Sequence, residues 1–382
     1  MSTENTTPNL NKENLAVSSL FFVLGLAFAT WAARIPAIRD SAMLIPATLG
    51  YALLARGIGS VVMLPVTAIL INKIGSKKSA MLFGALTSIT LIPLAFSPNW
   101  WVLAGALIIT GAAGGGYNLA MNSLASNLEY RAATPKMSRI HSMFGVGNLT
   151  GALIGFLAAN AGLGPLVHFT IVSVLLGGIN LWAFTHIPEE KADERVVSPT
   201  FSKPAKGILW LGIILFLAGA TESTMMNWVA LFYSDFLQAG EQIAPAGYAI
   251  YAAALLIMRF MGDGFRSRFG VRKLLTTGAV MSALGVVLAV LAQNLYLSSV
   301  GIFMLGAGVA LIFPFVFSVA GKVSASALAL VMTFGSLGEM ISQPIMGEVV
   351  QYFGLNGGFY VIAGVLAVIC IMAWNSELLR EA

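Results

Sequence analysis

Twelve apolar runs follow one another along 382 residues, at roughly 15–36, 46–71, 79–97, 100–128, 138–160, 166–186, 207–237, 245–264, 273–293, 296–320, 326–352 and 357–375. Each is about long enough to cross a bilayer, whose hydrocarbon core takes about 20 helical residues. Within lipid every backbone N–H and C=O must be bonded inside the protein, so a chain with twelve such runs folds as spanning helices. Several runs exceed a straight crossing, which predicts tilted or bent helices. Composition agrees: charged residues make up only 10% of the chain, against about 25% in soluble domains.

The basic residues set the orientation. With the N-terminus in the cytoplasm, the segments 1–14, 72–78, 129–139, 187–206, 265–273, 321–325 and 376–382 lie inside and hold 17 of the 21 Lys and Arg. The exceptions are Arg34, Arg39, Arg56 and Arg259. This asymmetry predicts that both termini are cytoplasmic. The net charge of +5 therefore belongs to membrane-flanking loops, and no nucleic-acid partner is expected. Cys370 is the single cysteine, and His141, His168 and His186 lie far apart, so neither a disulfide nor a metal site is expected. The polar stretch Met1–Asn14 precedes a run better kept as a span than cleaved as a signal. There is no Walker loop and no nucleophile–His–acid constellation, so neither ATP drive nor an enzyme is expected.

The chain repeats. From Thr30, TWAARIPAIRDSAMLIPATLGYAL aligns with NWVALFYSDFLQAGEQIAPAGYAI from Asn227, pairing Trp31 with Trp228 and Gly50-Tyr51 with Gly247-Tyr248. Asn72–Lys78 (NKIGSKK) matches Ser267–Lys273 (SRFGVRK), and FGVGNLTGALIG from Phe144 matches FGSLGEMISQPIMG from Phe334. The expected layout is a cytoplasmic tail (1–14), a six-helix bundle (15–186), a polar linker (187–206), a second six-helix bundle (207–375) and a tail (376–382). Parallel six-helix repeats with a site between them are a secondary-transporter architecture.

With these residues the chain resembles the major facilitator superfamily over essentially its whole length. The superfamily loop signature survives in part at Gly75, Lys77 and Lys78, and again at Gly270, Arg272 and Lys273, with Arg259, Gly262 and Asp263 upstream. The chain is similar in particular to the bacterial fucose-permease-like branch, through Asn118-Leu-Ala-Met-Asn122, Glu129, Arg139-Ile-His141, Glu222-Ser-Thr-Met-Met-Asn227-Trp228 and Gly247-Tyr248. It departs from that branch at Asn118 and Asn227, which replace acids, and at Glu339 and Ser342-Gln343. The resemblance implies an all-α fold of 12 transmembrane helices in two pseudo-symmetric six-helix bundles, in the bacterial inner membrane, with lipid and a small-molecule substrate as partners. It implies no cofactor, a proton gradient as energy source, and a monomer. Because the branch associates proton coupling with the span-four acid, that role passes here to Glu222 or Glu339.

Both acids lie deep in apolar runs, where a charge costs roughly 3 kcal/mol even on lenient scales. Burial disfavours the charged form of a carboxyl, which makes such an acid a candidate proton carrier. The alternative is a plain ion pair with Arg259 or Arg56, or a structural role in helix association. In the repeat, Glu339 corresponds to Asn148. Along span four, Gly111, Gly115, Asn118, Asn122, Ser126 and Glu129 share one helical face, fit either for lining a cavity or for packing. Trp31 and Trp228 fit either stacking on a sugar ring or an interfacial aromatic belt. Arg34 fits either a grip on an anionic substrate or snorkelling to the outer surface.

The candidate substrate residues are thus Trp31, Arg34, Asn118, Asn122, Asn227, Trp228 and Gln343, the proton-coupling candidates Glu222 and Glu339, and the gating candidates His141, Arg259 and Asp263. The expected function is proton-coupled symport of a sugar or polyol by alternating access. Two alternatives are a proton-coupled exporter of amphipathic compounds and a membrane scaffold that transports nothing.

Overall fold

The computed structural model describes residues 10–132, 136–189 and 207–380, apart from the side chains of Ser138, Asp263 and Ala325. Ten of its helices are long and apolar enough to cross a membrane, and two of the ten are double. Pro46–Ile89 is interrupted at Gly75 (φ 85°) and Ala325–Asn375 at Gly354 (φ 71°). A positive φ is open to glycine without steric cost, so these two residues let the chain turn back where another residue would be strained.

The contacts show that it does turn back. Arg56 and Ser60 meet Gly111 and Gly115 in ascending order, whereas Ser76 meets Ser123 and Thr90 meets Thr110 in descending order. Gly212 and Ser223 meet Phe334 and Gln343 in ascending order, whereas Trp210 and Phe232 meet Met372 and Phe359 in descending order. Twelve crossings result: α1 (Leu10–Ala32), α2 (46–74), α3 (76–95, broken at Thr90), α4 (Trp100–Ala132), α5 (Met137–Asn160), α6 (Pro165–His186), α7 (Ile208–Leu231), α8 (Gly240–Phe269), α9 (Val271–Ala292), α10 (Leu295–Val309 and Ile312–Val323), α11 (325–353) and α12 (355–375). Short helices Ile35–Ser41 and Glu377–Arg380 flank them. Leu10, Arg380 and the turns at Gly75 and Gly270 share one face, the terminal face; the opposite one is the far face.

Local sequence explains the helix ends. Prolines open Pro46 and Pro165, where the missing N–H is no loss. The Asn294 side chain accepts from the backbone of Tyr296 and Leu297 at 3.0 and 3.2 Å, and Ser324 Oγ accepts from Ala327 N at 3.0 Å. The expected bends are present: a π-helical turn at Phe232–Phe236 prolongs α7, and α10 breaks between Val309 and Ile312.

α1–α6 and α7–α12 form the two bundles, and the repeat is visible in the backbone. Gly75 (φ 85°, ψ 161°) and Gly270 (φ 74°, ψ 159°) hold the same conformation at matched places in NKIGSKK and SRFGVRK. The linker expected at 187–206 lies almost wholly outside the described residues.

Gly111 and Gly115 in the α4 stripe serve packing, since a Cβ on Gly111 would sit 1.9 Å from the Arg56 carbonyl oxygen and one on Gly115 would sit 2.4 Å from Ser60 Oγ. Gly111→Ala should therefore destabilise the protein by about 1–3 kcal/mol through overpacking. Gly105, with nothing within 4 Å of an added Cβ, should accept alanine without loss. Thermal unfolding of the detergent-solubilised variants distinguishes the two.

Candidate functional site

Polar and charged groups gather where the bundles face each other. Arg259 of α8 donates from Nη2 to Glu222 Oε1 of α7 at 2.8 Å, with side chains 31% and 13% exposed. Its Nε donates to the Ala310 carbonyl at 3.2 Å, a backbone oxygen freed by the break in α10. Among the described residues Glu222 Oε2 is buried without a partner, as is the Tyr251 hydroxyl, which feels the charges of Glu222 and Arg259.

Glu339 of α11 lies against Gly219, one turn before Glu222; a Cβ there would meet Glu339 Cγ at 3.3 Å. Among the described residues no hydrogen bond or ion pair holds its carboxylate, which keeps an exposed surface. It sits within electrostatic range of Glu222 and of Arg56 from α2 in the other bundle. The Arg56 guanidinium stacks over the Phe28 ring at 4.5 Å, a cation–π contact that supports a half-buried cation. Two guanidinium groups and two carboxyl groups thus form one cluster spanning both bundles. The Arg259–Glu222 ion pair is the contact that the structural alternative describes for Glu222; among the described residues Glu339 has no such pair.

The other candidates divide. Asn118 is exposed, and its backbone and side-chain oxygens accept from Asn122 Nδ2 at 2.8 and 2.7 Å. These amides bond along their own helix, with Asn118 left open. Gln343 is buried and fully engaged: its amide donates to Ser223 Oγ at 2.9 Å and accepts from Trp228 Nε1 at 3.2 Å, tying α11 to α7. Asn227 is buried and donates to the Ser223 carbonyl at 2.8 Å, with Oδ1 unpartnered. His141 is exposed and packs on Phe21 with ring centroids 4.7 Å apart. The Asp263 side chain lies outside the described residues. Glu129 accepts from the backbone N–H groups of Lys136 and Met137 at 2.8 and 2.6 Å, holding the turn before α5.

Burial decides against one alternative at each of two places. Trp31 and Trp228 do not sit in an aromatic belt; they are 2% and 1% exposed, packed inside their bundles. Arg34 does not snorkel outward. It is 2% exposed, and its Nη2 donates to the Leu163 carbonyl at 2.7 Å and to Glu241 Oε1 at 3.2 Å.

Side-chain links join the bundles in the half towards the far face. Arg34 pairs with Glu241, Arg39 pairs with Asp235 (Nη2 to Oδ1 3.1 Å), Tyr51 donates to Glu348 at 3.0 Å, and Tyr248 donates to Asn148. The two tyrosines are repeat equivalents making the same kind of contact. Sequence reasoning missed these partners, although Arg34, Arg39 and Arg56 were already set apart by lying outside the basic loops.

This arrangement, two six-helix bundles around an intramembrane charge cluster, defines a polytopic transporter. A family model described as Major Facilitator Superfamily matches residues 16–266 and 211–377, and the chain belongs to that family. It is 27% identical to the "Uncharacterized transporter y4wD" of Sinorhizobium fredii, over 94% of this chain and 96% of that one. It is 29% identical to an MFS-type transporter of Yersinia pestis, over 92% and 93%. Among solved structures it resembles a point mutant of the nucleoside transporter NupG, with a TM-score of 0.78, 16% identity, and 96% and 100% coverage. It also resembles a bacterial homologue of the human lysosomal transporter Spinster, in an inward-facing and unoccupied conformation, with a TM-score of 0.77, 13% identity, and 99% of each chain covered. The chain is a secondary transporter, not an enzyme, and needs no cofactor.

Removing one partner of the Arg259–Glu222 pair leaves a charge without its counterion. Arg259→Ala should destabilise more than the Glu222→Ala/Arg259→Ala double variant, with a coupling of about 1–3 kcal/mol in a double-mutant cycle read by thermal unfolding. Additive losses would show that the contact carries no energy.

Proposed function

We propose that this transporter couples proton movement to symport of a small hydroxylated solute, a sugar or polyol, by alternating access. The observation that carries the proton part is Glu339, a carboxylate facing Arg56 across the bundles with no ion pair or hydrogen bond of its own. Protonating it removes one negative charge from a cluster of two acids and two arginines. The attraction between Arg56 and α11 then weakens, and the balance between the two bundle orientations shifts.

The solute reading rests on Asn118 and Asn122, whose amides can donate to and accept from hydroxyls, and on the branch resemblance. The nucleoside named for NupG extends the class of solutes worth testing. Trp31, Trp228 and Gln343 then act as the rigid wall behind the site, and Glu222 is held by Arg259 as the fixed charge that Glu339 senses.

The basic loops support a terminal face in the cytoplasm of a bacterial inner membrane. On that orientation the far-face links hold the two bundles together on the outer side. Reversing one charge of the Arg39–Asp235 pair should then open the outside. Arg39→Asp alone should raise labelling of an Asn118→Cys reporter in the proposed central site, in a Cys370→Ser background, by an impermeant thiol reagent added from outside. Adding Asp235→Arg should bring it back down.

The function itself is tested by uptake into proteoliposomes under an imposed pH gradient, using labelled sugars, polyols and nucleosides. Glu339→Gln should abolish gradient-driven accumulation while solute counterflow persists, and Asn122→Ala should raise KM several-fold. Gradient-driven extrusion of lipophilic cations in place of uptake would replace symport by export.

A further inference from the structure

A second polar site lies at the far face, away from the central cluster. A cavity of about 530 Å³ opens there among helix ends of both bundles, its wall including Arg34, Ser41, Ser97, Leu163, Glu241 and Gln242. Arg34 stands at the junction between α1 and the short helix Ile35–Ser41, and its guanidinium is 2% exposed. Only Nη2 is satisfied; Nε and Nη1 are buried and have no partner among the described residues. His168, 1% exposed and within electrostatic range of Arg34, also lacks a partner at both ring nitrogens.

A buried guanidinium in protein normally has its charge and its donors answered, because an unpaired buried charge is strongly destabilising. Glu241 answers this one poorly. It is 58% exposed and makes a single contact of 3.2 Å, longer than the roughly 2.7–2.9 Å of a strong charge-assisted bond. The cavity thus borders a cation whose Nη2 is held by a weak counterion that an incoming anion can displace, with Nε and Nη1 of the same guanidinium buried and unsatisfied behind it.

We infer that this cavity is a binding site for a small oxyanion, a carboxylate or phosphate group, taken by Arg34 in competition with Glu241. The two sources of such a group are a soluble anion and an anionic lipid headgroup. Arg34 belongs to one bundle and Glu241 to the other, so an anion on Arg34 takes the place of one of the links that hold the far face shut.

The test is thermal unfolding of the full chain in detergent against sodium phosphate and sodium acetate, with chloride holding ionic strength constant. A saturable rise in Tm is expected in the wild type. General stabilisation by excluded salts does not saturate and is shared by all variants. Glu241→Gln, a change at an exposed rim position, should lower the half-saturating concentration at least about threefold. Arg34→Lys should weaken the effect, and Arg34→Gln should abolish it. Phosphatidylglycerol added to the micelles forms the second arm. An Arg34-dependent rise with the lipid alone assigns the oxyanion to a headgroup, and one with the salts alone assigns it to a soluble anion. No saturable rise in the wild type or in Glu241→Gln, or an equal rise in Arg34→Gln, overturns the site. Neither result depends on Glu339 or on the transported solute, so the central reading stands or falls separately.

Discussion

The cost of a charge in a low-dielectric interior governs this molecule. Among its basic residues, Arg34, Arg39, Arg56 and Arg259 stand outside the basic loops, and each faces a carboxylate: Glu241, Asp235, Glu339 and Glu222 in turn. Three of the four pairings cross from the first bundle to the second. A mobile interface built mainly of apolar contacts would have no preferred register. These charges supply one, because each is expensive wherever its partner is not. Of the three that cross, Arg56 with Glu339 is the loosest and lies deepest between the bundles, and the two direct ion pairs lie at the far face.

Duplication explains how such an interface arises. Gly50-Tyr51 and Gly247-Tyr248 descend from one motif, and each tyrosine bonds across to the opposite bundle, to Glu348 and Asn148. The acceptors differ in charge, so the symmetry of the backbone is kept while the chemistry diverges. The same divergence separates Asn148 from its counterpart Glu339. One remains a neutral acceptor locked by a tyrosine, and the other is a carboxylate left open. An asymmetric site between symmetric halves follows from these few substitutions.

Much of this was legible in the chain itself. Apolar run length marks twelve crossings, and a repeated loop sequence marks two copies, as the identical backbone at Gly75 and Gly270 bears out. Burial depth marked Glu222 and Glu339, and exclusion from the basic loops marked the four arginines. The directions in which side chains point were not legible. Trp31 and Trp228 read as either a platform for a sugar ring or an interfacial belt, and their burial inside the bundles was not foreseen, because one residue of register turns a helical side chain by about 100°. Gly111 and Gly115 read equally well as cavity lining or packing until the Arg56 backbone is placed against them. Partners such as Glu241 and Asp235 carried no signal, since an acid near a helix end is ordinary in sequence and becomes a counterion only through long-range folding.

The contact between α2 and α11 has its own consequence. A Cβ on Gly50 would lie 3.0 Å from Gly347 Cα and 2.5 Å from the Gln343 carbonyl, so the bundles touch there backbone to backbone. Interlocked side chains would act as gear teeth, and each change of angle would require unmeshing them. Two glycines present a smooth bearing on which the helices roll against each other with little side-chain repacking. In the proposed alternating-access cycle, motion about this point would be resisted mainly by the polar latches around it, so that its timing passes from the packing to the charges.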